Sequence, residues 1–173
     1  SSRRSRSVET GAMCGFSFEC SSGNNRGHQA NGKPRLSKLY GMAMYRAVTR
    51  KIEVTVTPRF VSERSSPSNG YFFWAYTINI TNLGAETVQL KTRHWRITDA
   101  QGRLQEVKGP GVVGEEPVLK PTESFEYTSG VPLPTPSGFM VGSYGMVTQA
   151  GEHFDIEIPA FSLDSSHAER TIN

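Results

Sequence analysis

In the segment YFFWAYTINITN, residues 71–82, Phe72, Trp74, Tyr76, Ile78 and Ile80 fall on every second position. Strand side chains point alternately to the two faces of a sheet, so five large apolar groups at this spacing share one face of a strand. No helix gathers them that way. Each fully buried group of this size contributes on the order of 1.5–3 kcal/mol, so the face must lie in a core. The same period recurs elsewhere. Ile52, Val54 and Val56 alternate with Lys51, Glu53 and Thr55, which reads as a half-buried strand closed by Pro58. Phe125 and Tyr127, then Met140, Tyr144 and Met146, then Phe154, Ile156 and Ile158 repeat the pattern.

The phase slips twice. Val88 and Leu90 are even, whereas Trp95 and Ile97 are odd. A one-residue slip sends every following side chain to the other face, so the chain must bulge or change sheets within Lys91–His94. Phe161 and Leu163 likewise oppose Phe154, Ile156 and Ile158, which marks Pro159 as an edge or a bulge. Polar and Gly-rich stretches at 62–70 and 99–103 supply turns. With no amphipathic helical pattern in view, the sequence predicts an all-β domain of seven or eight short strands. The expected architecture is an antiparallel β-sandwich of immunoglobulin or fibronectin type III kind, with a closed barrel as the alternative.

The excess of basic charge and both cysteines are confined to one end. Residues 1–43 carry seven Lys or Arg against two Asp or Glu, and residues 44–173 carry twelve against fourteen. The basic character therefore belongs to the first segment, and a nucleic-acid interface on the folded part is not expected. That segment is rich in Ser, Gly, Asn and Arg and too poor in apolar residues to offset its ordering entropy. It reads as a disordered or non-native N-terminal extension before a domain at 44–173; a targeting peptide or a partner-binding arm are the other readings. Cys14 and Cys20 stand in C-x5-C spacing, which is no zinc knuckle. The domain itself has no cysteine, so a cytoplasmic location is permitted and expected. No run of 18 apolar residues suggests a membrane span.

Gly109, Gly111 and Gly114 satisfy G-x-G-x-x-G within VKGPGVVGEEPVL. A dinucleotide fingerprint requires a helix after the glycines, with its N-terminus at the pyrophosphate. Here Glu115, Glu116 and Pro117 follow, and strand pattern then resumes. The glycines are expected to turn a loop that needs positive φ, pinned to the sandwich by Val112 and Val113. A nest of backbone N–H groups for pyrophosphate or nucleotide is the lesser reading. His94, between Arg93 and Trp95, has no nucleophile or second base at interpretable spacing, so no catalytic residue is assigned and no cofactor is expected. His153 beside Asp155 could hold a divalent metal weakly. Phe139, Met140, Tyr144 and Met146 are read first as core and second as an exposed partner patch.

The stretches VQLKTRHWRITDAQGRLQEVKGPGVVGEEPVLKP, FEYTSG, TPSGFMVGSYGM and IPAFSLD closely resemble the ApaG family of bacteria over about residues 44–173. The resemblance implies a fibronectin type III-like fold of two antiparallel sheets. It also implies an association with cobalt resistance and magnesium efflux, without an assigned chemistry. The family is named for its operon company with a diadenosine tetraphosphate hydrolase. Similar domains in an F-box protein and a polymerase-delta-interacting protein act there as interaction modules. Gly109, Gly111 and Gly114 match the family's pyrophosphate-like motif. Thr122 departs from the family pattern, which has Gly there. The functional expectation is a non-enzymatic module for an unidentified protein partner, with Arg93, His94, Trp95, Val112 and Val113 as candidate contacts. Phosphate, nucleotide or divalent-metal binding is the alternative.

Overall fold

The computed structural model of the chain describes residues 43–166. The expected extension at 1–43 lies, Ala43 aside, outside the described residues. Nine strands appear in chain order: β1 (Tyr45–Thr49), β2 (Ile52–Phe60), β3 (Phe72–Asn82), β4 (Val88–Asp99), β5 (Leu104–Pro110), β6 (Val118–Leu119), β7 (Ser124–Leu133), β8 (Ser137–Thr148) and β9 (His153–Asp164). The helical turns among the described residues are two single 3₁₀ turns between β2 and β3. No helix there is long and apolar enough to cross a membrane. The strands form two separate antiparallel sheets, β1-β2-β3-β7 and β5-β4-β8-β9, with the short β6 also paired to β4. The sandwich expected from the alternation is present, and the barrel alternative is not.

Strand number and length differ from expectation for identifiable reasons. The alternation at Ile52–Val56 belongs to β2, and a further strand, β1, precedes it and folds back at Arg50–Lys51. Both turn residues have positive φ, +47° and +62°, the conformation a two-residue hairpin demands and Gly or Asn usually supplies. With neither present, no residue type marks the turn. The left-handed backbone is held from outside, where Arg50 donates to both Glu152 carboxylate oxygens at 2.8 and 3.1 Å and its guanidinium lies 4.3 Å from the centre of the Phe154 ring. Pro58 does not close β2, which runs on to Phe60. Pairing with β1 stops at Tyr45–Val56, so Pro58 sits where the strand has lost that neighbour and no ladder donor is missed. The strands are also not short, because β4, β8 and β9 each span 12 residues.

Both phase slips are bulges. Pairing of β4 with β8 shifts between Leu90 and Thr92, placing the extra residue at Lys91. Pairing of β8 with β9 shifts opposite Pro159–Ala160. Each bulge lets one strand keep its apolar groups inward on both sides of the irregularity. The core then holds Ile52, Val54, Val56, Trp74, Ile78, Ile80, Leu90, Trp95, Met140, Tyr144, Met146, Ile156, Ile158, Phe161 and Leu163, all buried. Trp95 meets Tyr76, Tyr144 and Phe161 in edge-on contacts with centroids 5.6, 6.4 and 6.0 Å away. Of the Met140 group, Phe139 alone stays exposed.

The sandwich closes along one side and not along the other. β1 and β9 meet at Tyr45 Oη–Ser162 Oγ (2.8 Å), at the Arg50–Glu152 pair and at the Glu157 N–H, which donates to Thr49 Oγ1. The opposite sheet edges are β7 and β5.

Thr122 has φ +72° and donates its N–H to Asn82 O at 2.8 Å in the turn before β7. A left-handed β-branched residue is strained by about 1–2 kcal/mol. Thr122→Gly should therefore stabilise the protein by about 0.5–1 kcal/mol, after allowance for the looser unfolded chain. A urea titration should show a higher midpoint at unchanged slope.

Candidate functional site

The glycine segment connects the edge strand β5 to β6 and turns back over the open side of the sandwich. Val112 and Glu115 exchange two backbone hydrogen bonds, each 2.8 Å, around Val113 and Gly114, whose φ values are +44° and +79°. Positive φ at both central residues defines the tight hairpin turn, and Gly114 supplies one of the two without strain. Gly111 is also left-handed, at φ +55°, and a Cβ there would collide with the Glu115 carbonyl. Gly109 plays a different part. A Cβ on it would stand 3.3 Å from the Arg93 guanidinium, so its bare backbone lets that side chain lie flat beneath the loop. Gly114 thus serves the turn itself, Gly111 the left-handed residue before it, and Gly109 a close approach without positive φ.

The loop's own donors are largely committed. The Gly111 N–H bonds Lys91 O at 2.9 Å, and those of Val112 and Glu115 bond each other's residues. Arg93 Nη1 donates to Pro110 O at 2.6 Å and Gly111 O at 2.8 Å, which makes this cation a strut under the loop. Glu116 pairs with Lys91, and its carbonyl accepts from Gln89 Nε2 at 3.1 Å. After Gly114 the chain runs into the strand β6, so among the described residues no helix N-terminus faces the loop.

Beneath the turn, between the β5 and β7 edges, lies a cleft of about 60 Å³. Arg93, Val107, Val113, Tyr127 and Ser129 form its walls, and Trp95, Ile97 and Met140 are among its deeper lining. Pockets for drug-sized ligands and cofactors run to about 300–1,000 Å³; this cleft has room for a small aliphatic side chain. One polar link crosses below it. The hydroxyls of Tyr127 on β7 and Tyr144 on β8 share a hydrogen bond inside the core. Burial pushes both phenols well above their ordinary value, and the proximity of Tyr76 adds to both.

The sequence-derived candidates divide among three environments. Gly109, Gly111, Gly114, Arg93, Val112 and Val113 do converge on the loop and cleft. Val113 is exposed, but Val112 is buried at 1% and plugs the loop into the core. Trp95 is buried at 3%, because the Lys91 bulge turns it inward, so neither it nor Val112 presents a side chain to a partner on this surface. His94, one residue earlier, points to the outer face of its sheet, where Nε2 lies 3.3 Å from Glu106 Oε1. His153 is exposed at the start of β9. Among the described residues no group of three His, Cys, Asp or Glu side chains is arranged to hold a metal. Val107, Tyr127 and Ser129 were missed as site residues. Their alternation is legible, but that β5 and β7 are the two open edges is a fact of topology.

Comparison with known proteins is consistent with this layout. A family model described as the ApaG domain matches residues 62–148. Protein ApaG of Rhodospirillum centenum is 65% identical over 130 residues, 75% of this chain and 100% of that protein. Protein ApaG of Rhodopseudomonas palustris is 67% identical over the same shares. Among solved structures, the ApaA protein from Bordetella pertussis matches with 50% identity and a TM-score of 0.65, covering 67% of this chain and 94% of its own. The X-ray structure of a structural-genomics target matches at 43% identity and TM-score 0.66, covering 73% and 96%.

Removing one phenol should unbalance the buried pair. Tyr127→Phe leaves the Tyr144 hydroxyl without this partner and is expected to cost about 1–3 kcal/mol, while Tyr127→Phe/Tyr144→Phe costs less than the two single changes together. Because both folded values lie above the ordinary 10.0, the unfolded chain ionises first. Stability should hold below pH 10 and decline as pH rises beyond it. Denaturation midpoints measured across that range should fall in the wild type and flatten in the double variant.

Proposed function

Because this chain belongs to the ApaG family, we propose that it is a non-enzymatic protein-binding module that receives an extended segment of a partner along β7, beside the cleft under the Val112–Glu115 turn. What supports the reading is the open β7 edge. The Asn82 N–H bonds Glu123 O in the β3–β7 register, so odd positions of β7 turn their backbone groups toward β3. The N–H and C=O groups of Ser124, Glu126, Thr128 and Gly130 then face outward and can pair with an added strand. Alternate side chains of that strand would meet Val107, Val113 and Ser129, and the 60 Å³ cleft sets their size at small and aliphatic.

In this reading the module works in the cytoplasm. The family association with cobalt resistance and magnesium efflux runs through the bound partner rather than through metal held by His94 or His153. Nucleotide or pyrophosphate binding at Gly109, Gly111 and Gly114 is disfavoured, because the loop N–H groups of Gly111, Val112 and Glu115 already have carbonyl partners and two carboxylates follow.

Photo-crosslinking groups placed at Thr128 and at Val113 should capture the same cellular protein, and one placed at Arg46, on the opposite edge strand β1 of that sheet, should not. Thr128→Pro deletes an outward N–H without touching the β3 ladder. It should abolish capture while leaving the circular dichroism spectrum and melting curve close to wild type. Equal capture from all three positions, or capture that survives Thr128→Pro, would count against the β7 site.

A further inference from the structure

β5 is the second open edge, and its sequence is complementary to itself. The Asp99 N–H bonds Arg103 O, and the Gly111 N–H bonds Lys91 O, at the two ends of the β4–β5 ladder. Both pairs fit the β4–β5 register, so odd residues of β5 are bonded to β4. The backbone groups of Leu104, Glu106 and Lys108 therefore face outward, and Pro110, next on that side, has its carbonyl held by Arg93 Nη1. These four residues are also exposed, Leu104 at 60%. An exposed strand edge carrying a large apolar side chain is a template for another strand.

We propose that β5 pairs with β5 of a second copy of this chain, antiparallel about a two-fold axis through Val107, to give a homodimer with one continuous sheet. In that register Glu106 stands opposite Lys108 of the other copy, twice over by symmetry. Leu104 meets the other Pro110, and the two Val107 residues face each other on the cleft side. Each Glu106–Lys108 pair exchanges two backbone hydrogen bonds. The absent N–H of Pro110 falls at the end of the ladder. Opposite charges directly across a strand pair favour this register, and slipping it by two residues sets Lys108 against Lys108 or Glu106 against Glu106. The axis stands normal to the shared sheet, so the two clefts lie on the same side of it, flanking the Val107 pair. The assembly uses β5 and leaves β7 unpaired, so it stands or falls independently of the partner-binding reading.

An edge-only contact is small, and such interfaces are weak. The test is sedimentation velocity on the full chain over a wide concentration range. The wild type should move from monomer toward dimer as concentration rises. Glu106→Lys and Lys108→Glu each set two like-charge pairs across the axis and should raise the dimer dissociation constant roughly tenfold or more. Glu106→Lys/Lys108→Glu in one chain recreates opposite charges and should regain most of the loss. An equimolar mixture of the two single variants should also associate, since each supplies the charges the other lacks. Melting curves separate this from damage within one copy, because Glu106 also lies across from Arg96 and near His94. A wild type that stays monomeric at every concentration overturns the proposal, as does a double variant no better than the singles while all remain folded.

Discussion

The structure depends on one apolar layer shared by two sheets, and on the chain's ability to keep feeding that layer through two irregularities. An alternating strand can serve a core for its whole length only while its phase holds. β4 and β9 are each 12 residues long and each loses phase once, at Lys91 and at Pro159–Ala160. Without the first bulge Trp95 and Ile97 would face water, and without the second Phe161 and Leu163 would. These four side chains pack with Tyr76, Tyr144 and Met140 in the middle of the molecule. The bulges are therefore what allows long strands to replace the shorter ones that the sequence suggests.

The site follows from where the layer ends. On the β1–β9 side, Tyr45, Arg50 and Thr49 reach across to Ser162, Glu152 and Glu157 and close the edge. On the β5–β7 side the connection to β6 turns over the gap instead. Val112 enters the core, Arg93 holds two of the turn's carbonyls, and the Tyr127–Tyr144 bond ties the sheets together behind the cleft. An arginine on an inward-facing position of β4 looks like a polar intruder, yet its place at the rim and its carbonyl partners explain it. A charge-assisted bond to a backbone carbonyl holds a loop more firmly than a neutral one.

Most of the fold could be read from the residues, and the reasons for the gaps are local. Period two, the parity changes at Lys91–His94 and around Pro159, and the Asp99–Arg103 turn were visible because each leaves a residue-type trace. The β1–β2 turn was not, because Arg50 and Lys51 carry positive φ with no Gly or Asn to announce it. Pro58 misled because a proline breaks a ladder only where a strand stands on the side its N–H would face, and β1 is already gone there. Trp95 was placed on a partner surface by type. Its parity already said inward, and the bulge that set that parity was itself inferred. Burial follows phase more faithfully than it follows the habit of aromatic residues at interfaces. Which strands form the open edges has no trace in any single segment, since it depends on how all nine are ordered.

The glycine spacing carries the general point furthest. G-x-G-x-x-G describes where side chains are missing, and a missing Cβ answers several different needs. At Gly111 it avoids the Glu115 carbonyl, at Gly114 it permits left-handed backbone, and at Gly109 it admits a guanidinium. A phosphate cradle needs the same freedoms but spends them on free N–H groups aimed at one point, ahead of a helix. Here the Gly111 and Val112 N–H groups bond Lys91 and Glu115 carbonyls, and the carboxylates of Glu115 and Glu116 follow where a helix would begin. Val113 sharpens the contrast, since a β-branched residue at φ +44° is a position glycine would fill more easily, yet the chain keeps an exposed apolar side chain there. A loop shaped to hold an anion gains nothing from that methyl pair; a loop that borders an apolar cleft does.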